Sequence, residues 1–197
     1  MLSLTIHKKI KMIPIITLSI IGLVLIIVGW TIYNRLIAAK NIVNEAFSGI
    51  DIQLKKRFEL IPNLVEAVKG YNAHEAAVLE EIVKNRSGVG NSIDEMSQQD
   101  KSITKALKQF RIQVEAYPEL KANTQFLKLM DNLSVVENEL SMARRYFNGA
   151  TRDYNTQAQV FPAVLVAKIA GFKTLKFYEL DNEAEREAPQ INLNENE

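Results

Sequence analysis

Apolar residues recur at alternating intervals of three and four along two long stretches of the chain. The first takes in Leu36, Val43, Phe47, Ile50, Leu54, Ile61, Leu64, Val68 and Tyr71. The second takes in Phe126, Leu129, Leu133, Val136, Leu140, Ala143, Phe147, Ala150 and Tyr154. A spacing near 3.5 residues places each set on one stripe of a helix, and such a stripe needs an apolar partner. A shorter set, Ile103, Leu107, Phe110, Val114 and Tyr117, predicts a third helix that Pro118 ends. The pattern therefore predicts an all-α fold. Its body, residues 35–160, reads as an antiparallel bundle of about four helices whose first and last members are long.

Interruptions set the expected boundaries. Pro62 removes a backbone bond inside the first stripe, but the stripe keeps its phase across it, so a kink is favoured over a reversal. The helix then continues through His74, Val78 and Ile82. Residues 86–100 (R-S-G-V-G-N-S-I-D-E-M-S-Q-Q-D) are rich in Gly, Ser, Asn and Asp and read as a loop. Phe161-Pro162 ends the last long helix. Residues 161–178 open with an apolar run, A-V-L-V-A-K-I-A-G-F at 163–172, flanked by Lys168, Lys173 and Lys176. That run is too short to span a bilayer and reads either as a cap on the bundle or as a segment lying on the membrane surface.

The start of the chain changes the picture most. After a basic leader over residues 1–11 comes a run, 12–34, without a charged side chain. Its ~34 Å of helix suffices for a hydrocarbon core of about 30 Å. Trp30 and Tyr33 suit the far interface. A cleaved signal peptide is the competing reading. The length of the run and the lack of an A-x-A site favour a single transmembrane helix, with the lipid bilayer as its partner. Lys8, Lys9 and Lys11 before the run, against Arg35 and Lys40 after it, favour a cytoplasmic N-terminus and an exoplasmic body.

Charge and composition exclude more than they assign. A net charge of +1 gives no reason to expect nucleic acid as a partner. Residues 179–197 hold seven acidic side chains against Arg186 alone, an acidic tail that reads as disordered. Without cysteine there are no disulfides, thiolate nucleophiles or cysteine metal ligands.

Several runs resemble the LemA family: Y-N-R-L-I-A-A-K-N at 33–41, I-D-I-Q-L-K-K-R-F-E-L-I-P-N-L-V-E-A-V-K-G-Y at 50–71 and A-Y-P-E-L-K-A-N at 116–123. So do A-R-R-Y-F-N-G-A-T-R-D-Y-N-T at 143–156 and A-E-R-E-A-P at 184–189. The stretch F-P-A-V-L-V-A-K-I-A-G-F at 161–172 departs from the family's usual Ser-Asn after the proline. The resemblance implies a bacterial single-pass membrane protein with an antiparallel helical bundle, and it brings no activity with it. It also implies a short N-terminus outside the cell, opposite to the charge count.

Candidate chemistry is sparse. His74 with Glu75, Glu80 and Glu81 has no second histidine nearby, His7 lying in the basic leader, so it reads as a mixed acidic helix face rather than a metal site. No serine has an evident base, no phosphate loop is present, and no catalytic, cofactor-binding or metal-binding residue is assigned. Three polar features remain. Lys40 and Arg57 fall on the apolar stripe, where a charge requires a partner. An antiparallel register brings Arg57 level with Glu137, predicting a contact with Glu137 or Glu139. Asn63 beside Pro62 is placed to satisfy a freed carbonyl. The cluster Arg144, Arg145, Tyr146, Asn148, Arg152, Asp153, Tyr154 and Asn155 reads as interhelical hydrogen bonding or as a partner-binding face. With the bacterial single-pass membrane setting that the resemblance implies, these features lead to the expectation of a non-enzymatic scaffold or adaptor of the cytoplasmic membrane that binds other envelope proteins. The alternative is a receptor-like module with a small-molecule or peptide groove near Pro62.

Overall fold

The computed structural model describes residues 2–69 and 92–179. All elements among the described residues are helices. They are α1 (Leu2–Lys69), α2 (Ile93–Val114), α3 (Pro118–Ala122), α4 (Thr124–Gln159) and α5 (Ala163–Ala170). The expected continuation through His74 and Ile82, and the acidic tail beyond Glu179, lie outside the described residues.

The helix boundaries follow local chemistry. α1 runs through Pro62 and is helical as far as Lys69, so the chain does not reverse there. α2 starts earlier than expected, which corrects the reading of residues 86–100 as loop throughout. Ser92 caps it, accepting a hydrogen bond from the Glu95 amide at 3.2 Å, with Asp94 and Glu95 in the first turn. Acids there favour the positive end of the helix dipole. Pro118 both follows the end of α2 and opens the single turn of α3, where its missing N–H costs nothing. The Asn123 side chain caps α4 through the amides of Gln125 and Phe126. Gly171 closes α5 in the left-handed region at φ 76°, donating to the carbonyl of Lys168.

The chain divides into two compact units. One holds the described residues up to Gly49 together with Arg145–Phe177. There, Leu36 of α1, Ala158 of α4 and Ala167 of α5 share a core with Ile32 and Phe172 against it. Phe47 meets Phe147 with ring centroids 6.1 Å apart. Within this unit the numbering of α4 falls as that of α1 rises, so the two helices run in opposite senses. The other unit holds the described residues from Ile50 to Arg144 with Tyr178 and Glu179. Its core draws Ile61, Leu64, Val65 and Val68 from α1, Leu107, Phe110 and Val114 from α2, Leu120 from α3, and Phe126 and Leu133 from α4.

Among the described residues the stripes fall where their spacing puts them, with one shift; Tyr71 lies outside those residues. Ala39 and Ala46 are buried beside Leu36, Val43 and Ile50, while Lys40 is exposed, correcting its expected place on the stripe. Alanine needs little room, so the stripe runs through it and the lysine turns to solvent. The charge-free part of α1 is unlike the rest. Ile15 to Trp30 expose nearly every large apolar side chain, and the most apolar stretch buries nothing within the protein.

Candidate functional site

A carboxylate inside the second unit gathers the polar side chains. Arg57, on the stripe of α1, is 1% exposed, and Asp100, in the second turn of α2, is 3% exposed. Arg57 donates to Asp100 Oδ1 at 2.6 Å and to Thr104 Oγ1 at 3.0 Å. Asp100 Oδ2 accepts from Arg144 of α4 and, at 2.7 Å, from the Tyr178 hydroxyl. The Arg144 guanidinium also lies over the Tyr178 ring, 5.6 Å from its centroid. Two arginines thus share one buried carboxylate, and the Nε of each is buried without a partner.

The electrostatics follow from this crowding. Burial lowers the Arg57 pKa, the Asp100 charge opposes that shift, and Arg144 adds to it. Burial, reinforced by the neighbouring Asp100 carboxylate, pushes the Tyr178 hydroxyl well above the ordinary tyrosine range. Both oxygens of Asp100 are engaged by donors and its side chain is closed to solvent. As arranged, the carboxylate holds elements together, and its burial keeps it from an outside molecule.

The expected contact of Arg57 with Glu137 or Glu139 is corrected. Glu137 pairs with Arg111 at 2.8 Å and Glu139 with Lys56 at 3.4 Å, while Arg57 turns to Asp100. Asp100 ends a stretch whose Gly, Ser, Asn and Asp content reads as loop, so the local pattern offers no helical partner for Arg57 there. The pattern Ser92-Ile93-Asp94-Glu95, a capping signature, could have found it. Tyr178 was missed for a different reason: it follows an irregular segment, and nothing local says where such a segment docks.

That segment, residues 171–179, is pinned side chain by side chain. In the first unit the Asn155 amide donates to the carbonyl of Leu175 at 2.9 Å and accepts from its N–H at 2.8 Å. The Tyr154 hydroxyl donates to the carbonyl of Lys173 at 3.0 Å. Tyr154 is 1% exposed, and burial raises its pKa. In the second unit Ser97 donates to the carbonyl of Glu179 at 3.0 Å, and the Met96 carbonyl lies 3.4 Å from the Tyr178 hydroxyl.

The cluster on α4 therefore separates into two sets. Arg144, Tyr154 and Asn155 face inward to partners within the protein. Asn148 is half-buried. Arg145 and Tyr146 are exposed, Tyr146 by 56%, and Arg152 and Asp153 form an exposed ion pair at 3.2 Å. Pro62 and Asn63 lie on the solvent side of α1, while Ile61 and Leu64 beside them are buried.

The family model of the LemA family matches residues 46–193, a range that includes Arg57, Asp100, Arg144, Asn155 and Tyr178. The chain belongs to the LemA family. It is similar to Protein LemA of Metamycoplasma hominis, with 28% identity over 141 residues, 68% of this chain and 63% of that protein. The chain thus matches less than two thirds of that relative's length. The family match begins beyond the charge-free run, so membership speaks for the body and the clamped segment rather than for the start of α1.

Proposed function

We propose that this LemA-family chain is a non-enzymatic scaffold or adaptor, held in the bacterial cytoplasmic membrane by residues 12–34 and presenting an antiparallel helical bundle to other envelope proteins. The observation carrying the reading is the contrast along α1. Residues from Ile15 to Trp30 expose their apolar side chains throughout, whereas Leu36, Ala39, Val43, Ala46 and Ile50 bury theirs within the same unbroken helix. An all-round apolar helix surface with no protein over it is at home in hydrocarbon and unfavourable in water.

The partner-binding face assigned here is the outward side of α4 at Arg145 and Tyr146, residue types that dominate binding energy at protein interfaces. The inward members of the same cluster have internal partners and are left to hold the fold. Recovery of co-purifying envelope proteins from mild-detergent extracts tests this. Arg145→Ala with Tyr146→Ala should abolish that recovery while the variant's helicity and melting match the parent. Undiminished recovery would refute the face. A ligand-dependent melting shift, of order 2.7 kcal/mol at a hundredfold excess over the dissociation constant, would favour the receptor reading near Pro62 instead.

A further inference from the structure

α5 presents an apolar line to the outside. Ala167 is buried against Leu36 and Ala158, so the helix docks by its small residues. On the opposite side Leu165 is 54% and Ile169 89% exposed, and Phe161, four residues before Leu165, is 80% exposed. Positions four apart share a helix face, so Leu165 and Ile169 stand together, and Phe161 is exposed in the turn that leads into the helix. Lone exposed apolar residues need no explanation, but a continuous line of them does.

The position of the line says what covers it. Phe172, just past α5, packs against the core of Leu36, Ala158 and Ala167, as Ile32 does, and meets Tyr33 edge-on with centroids 5.6 Å apart. Tyr33 and Trp30 lie in the last turns of the charge-free run, and such residues prefer the headgroup level of a bilayer. Within this unit the apolar line of α5 thus adjoins the place where the uncovered apolar surface of α1 ends. Lys168 and Lys173 are exposed beside it and suit lipid phosphates. In a self-association through the same patch, these like charges would be brought together, which is unfavourable.

We propose that α5 is an interfacial helix. Phe161, Leu165 and Ile169 enter the outer layer of the bilayer that α1 crosses, with Lys168 and Lys173 at its headgroups. The inference rests on the membrane anchoring proposed above, and it adds a second contact that fixes the body against the membrane surface.

Because the chain has no cysteine, single nitroxide labels can be placed without background substitutions. The full-length protein carrying Leu165→Cys or Ile169→Cys would be reconstituted into vesicles of phosphatidylethanolamine with a minority of anionic phosphatidylglycerol. Each label's collision rates with oxygen, which concentrates in lipid, and with a water-soluble nickel chelate would then be measured. Val24→Cys reports on the anchor, and Ile112→Cys, at a position 65% exposed on α2, serves as the reference. The expected result is an oxygen-to-nickel ratio at 165 and 169 several-fold above that at 112 and below that at 24. A high ratio at 24 with an aqueous ratio at 169 overturns the interfacial helix and leaves the anchor standing. An aqueous ratio at 24 overturns both. Protection of 169 from both agents, with dipolar broadening between labels, means that a second copy covers the patch and also overturns the proposal.

Discussion

Two arginines share one aspartate, Arg57 and Asp100 buried and Arg144 partly so, and this imbalance makes the residues unequal. Removing the carboxylate leaves the buried Arg57 and the partly buried Arg144 without their bonded counter-charge, whereas removing Arg57 leaves Asp100 paired with Arg144 and Tyr178. Breaking a buried pair from the wrong side costs about 3–5 kcal/mol, while replacing a surplus buried charge by an apolar side chain of similar size can be close to neutral. Asp100→Asn is expected to lose stability in that range and Arg57→Met no more than about 1–2 kcal/mol, both read from melting of helical circular dichroism in detergent. Equal losses would contradict the imbalance. Tyr178 gives a pH signature. An unfolded tyrosine ionises near 10.0, and the buried Tyr178 hydroxyl holds its proton to higher pH. Above the unfolded value the folded chain therefore binds more protons than the unfolded one. Its stability is full below that pH and falls as pH rises beyond it. Tyr178→Phe removes that contribution, so its melting temperature should decline less steeply through the alkaline range than the parent's.

Single side chains also decide how elements begin and dock. Ser92 supplies the oxygen that satisfies an otherwise orphaned amide of α2, so Ser92→Ala should cost about 1 kcal/mol and fray the turn that carries Asp94 and Glu95. Segment 171–179 has no helical or sheet ladder of its own past Phe172, and Asn155 substitutes for one by pairing with both backbone groups of Leu175. Asn155→Ala is expected to cost about 2 kcal/mol and to raise hydrogen exchange and protease cleavage around Lys173 and Leu175 before the helices are affected. Exchange confined to the segment would fit a clamp; exchange spread through α4 would mean that Asn155 stabilises the helix itself.

For the whole molecule, the proposed anchoring makes one property decisive: the side of the membrane on which the body would stand. For a membrane-anchored chain, the charges flanking residues 12–34 favour a body outside the cytoplasm, and the family resemblance implies the reverse. A protease-accessible C-terminal tag in spheroplasts separates the two. Cleavage without membrane rupture is expected from the charge count and directs the search for partners to the envelope or exterior. Protection until the membrane is broken reverses the orientation and directs the search to cytosolic proteins.

What was legible in the sequence was whatever depends on neighbours a few residues apart. The 3-and-4 spacing fixed the helical character and inward face of α4, and most of those of α1, because helix geometry brings such positions onto one stripe whatever surrounds them. Phe161-Pro162 marked the end of α4 correctly, since proline acts on its own backbone. Lys40 shows the limit of that logic: with small Ala39 beside it, the spacing alone could not say which residue would face inward. The partners of Arg57, the docking of Tyr178 and the division of the α4 cluster into inward and outward members were decided only by the tertiary structure. Those choices join residues 19 to 82 positions apart in the chain, such as Tyr154 with Lys173, Arg57 with Asp100 and Ser97 with Glu179. Any of several acids could have met Arg57 by local pattern. Burial selected the one whose helix brought its carboxylate within hydrogen-bonding reach.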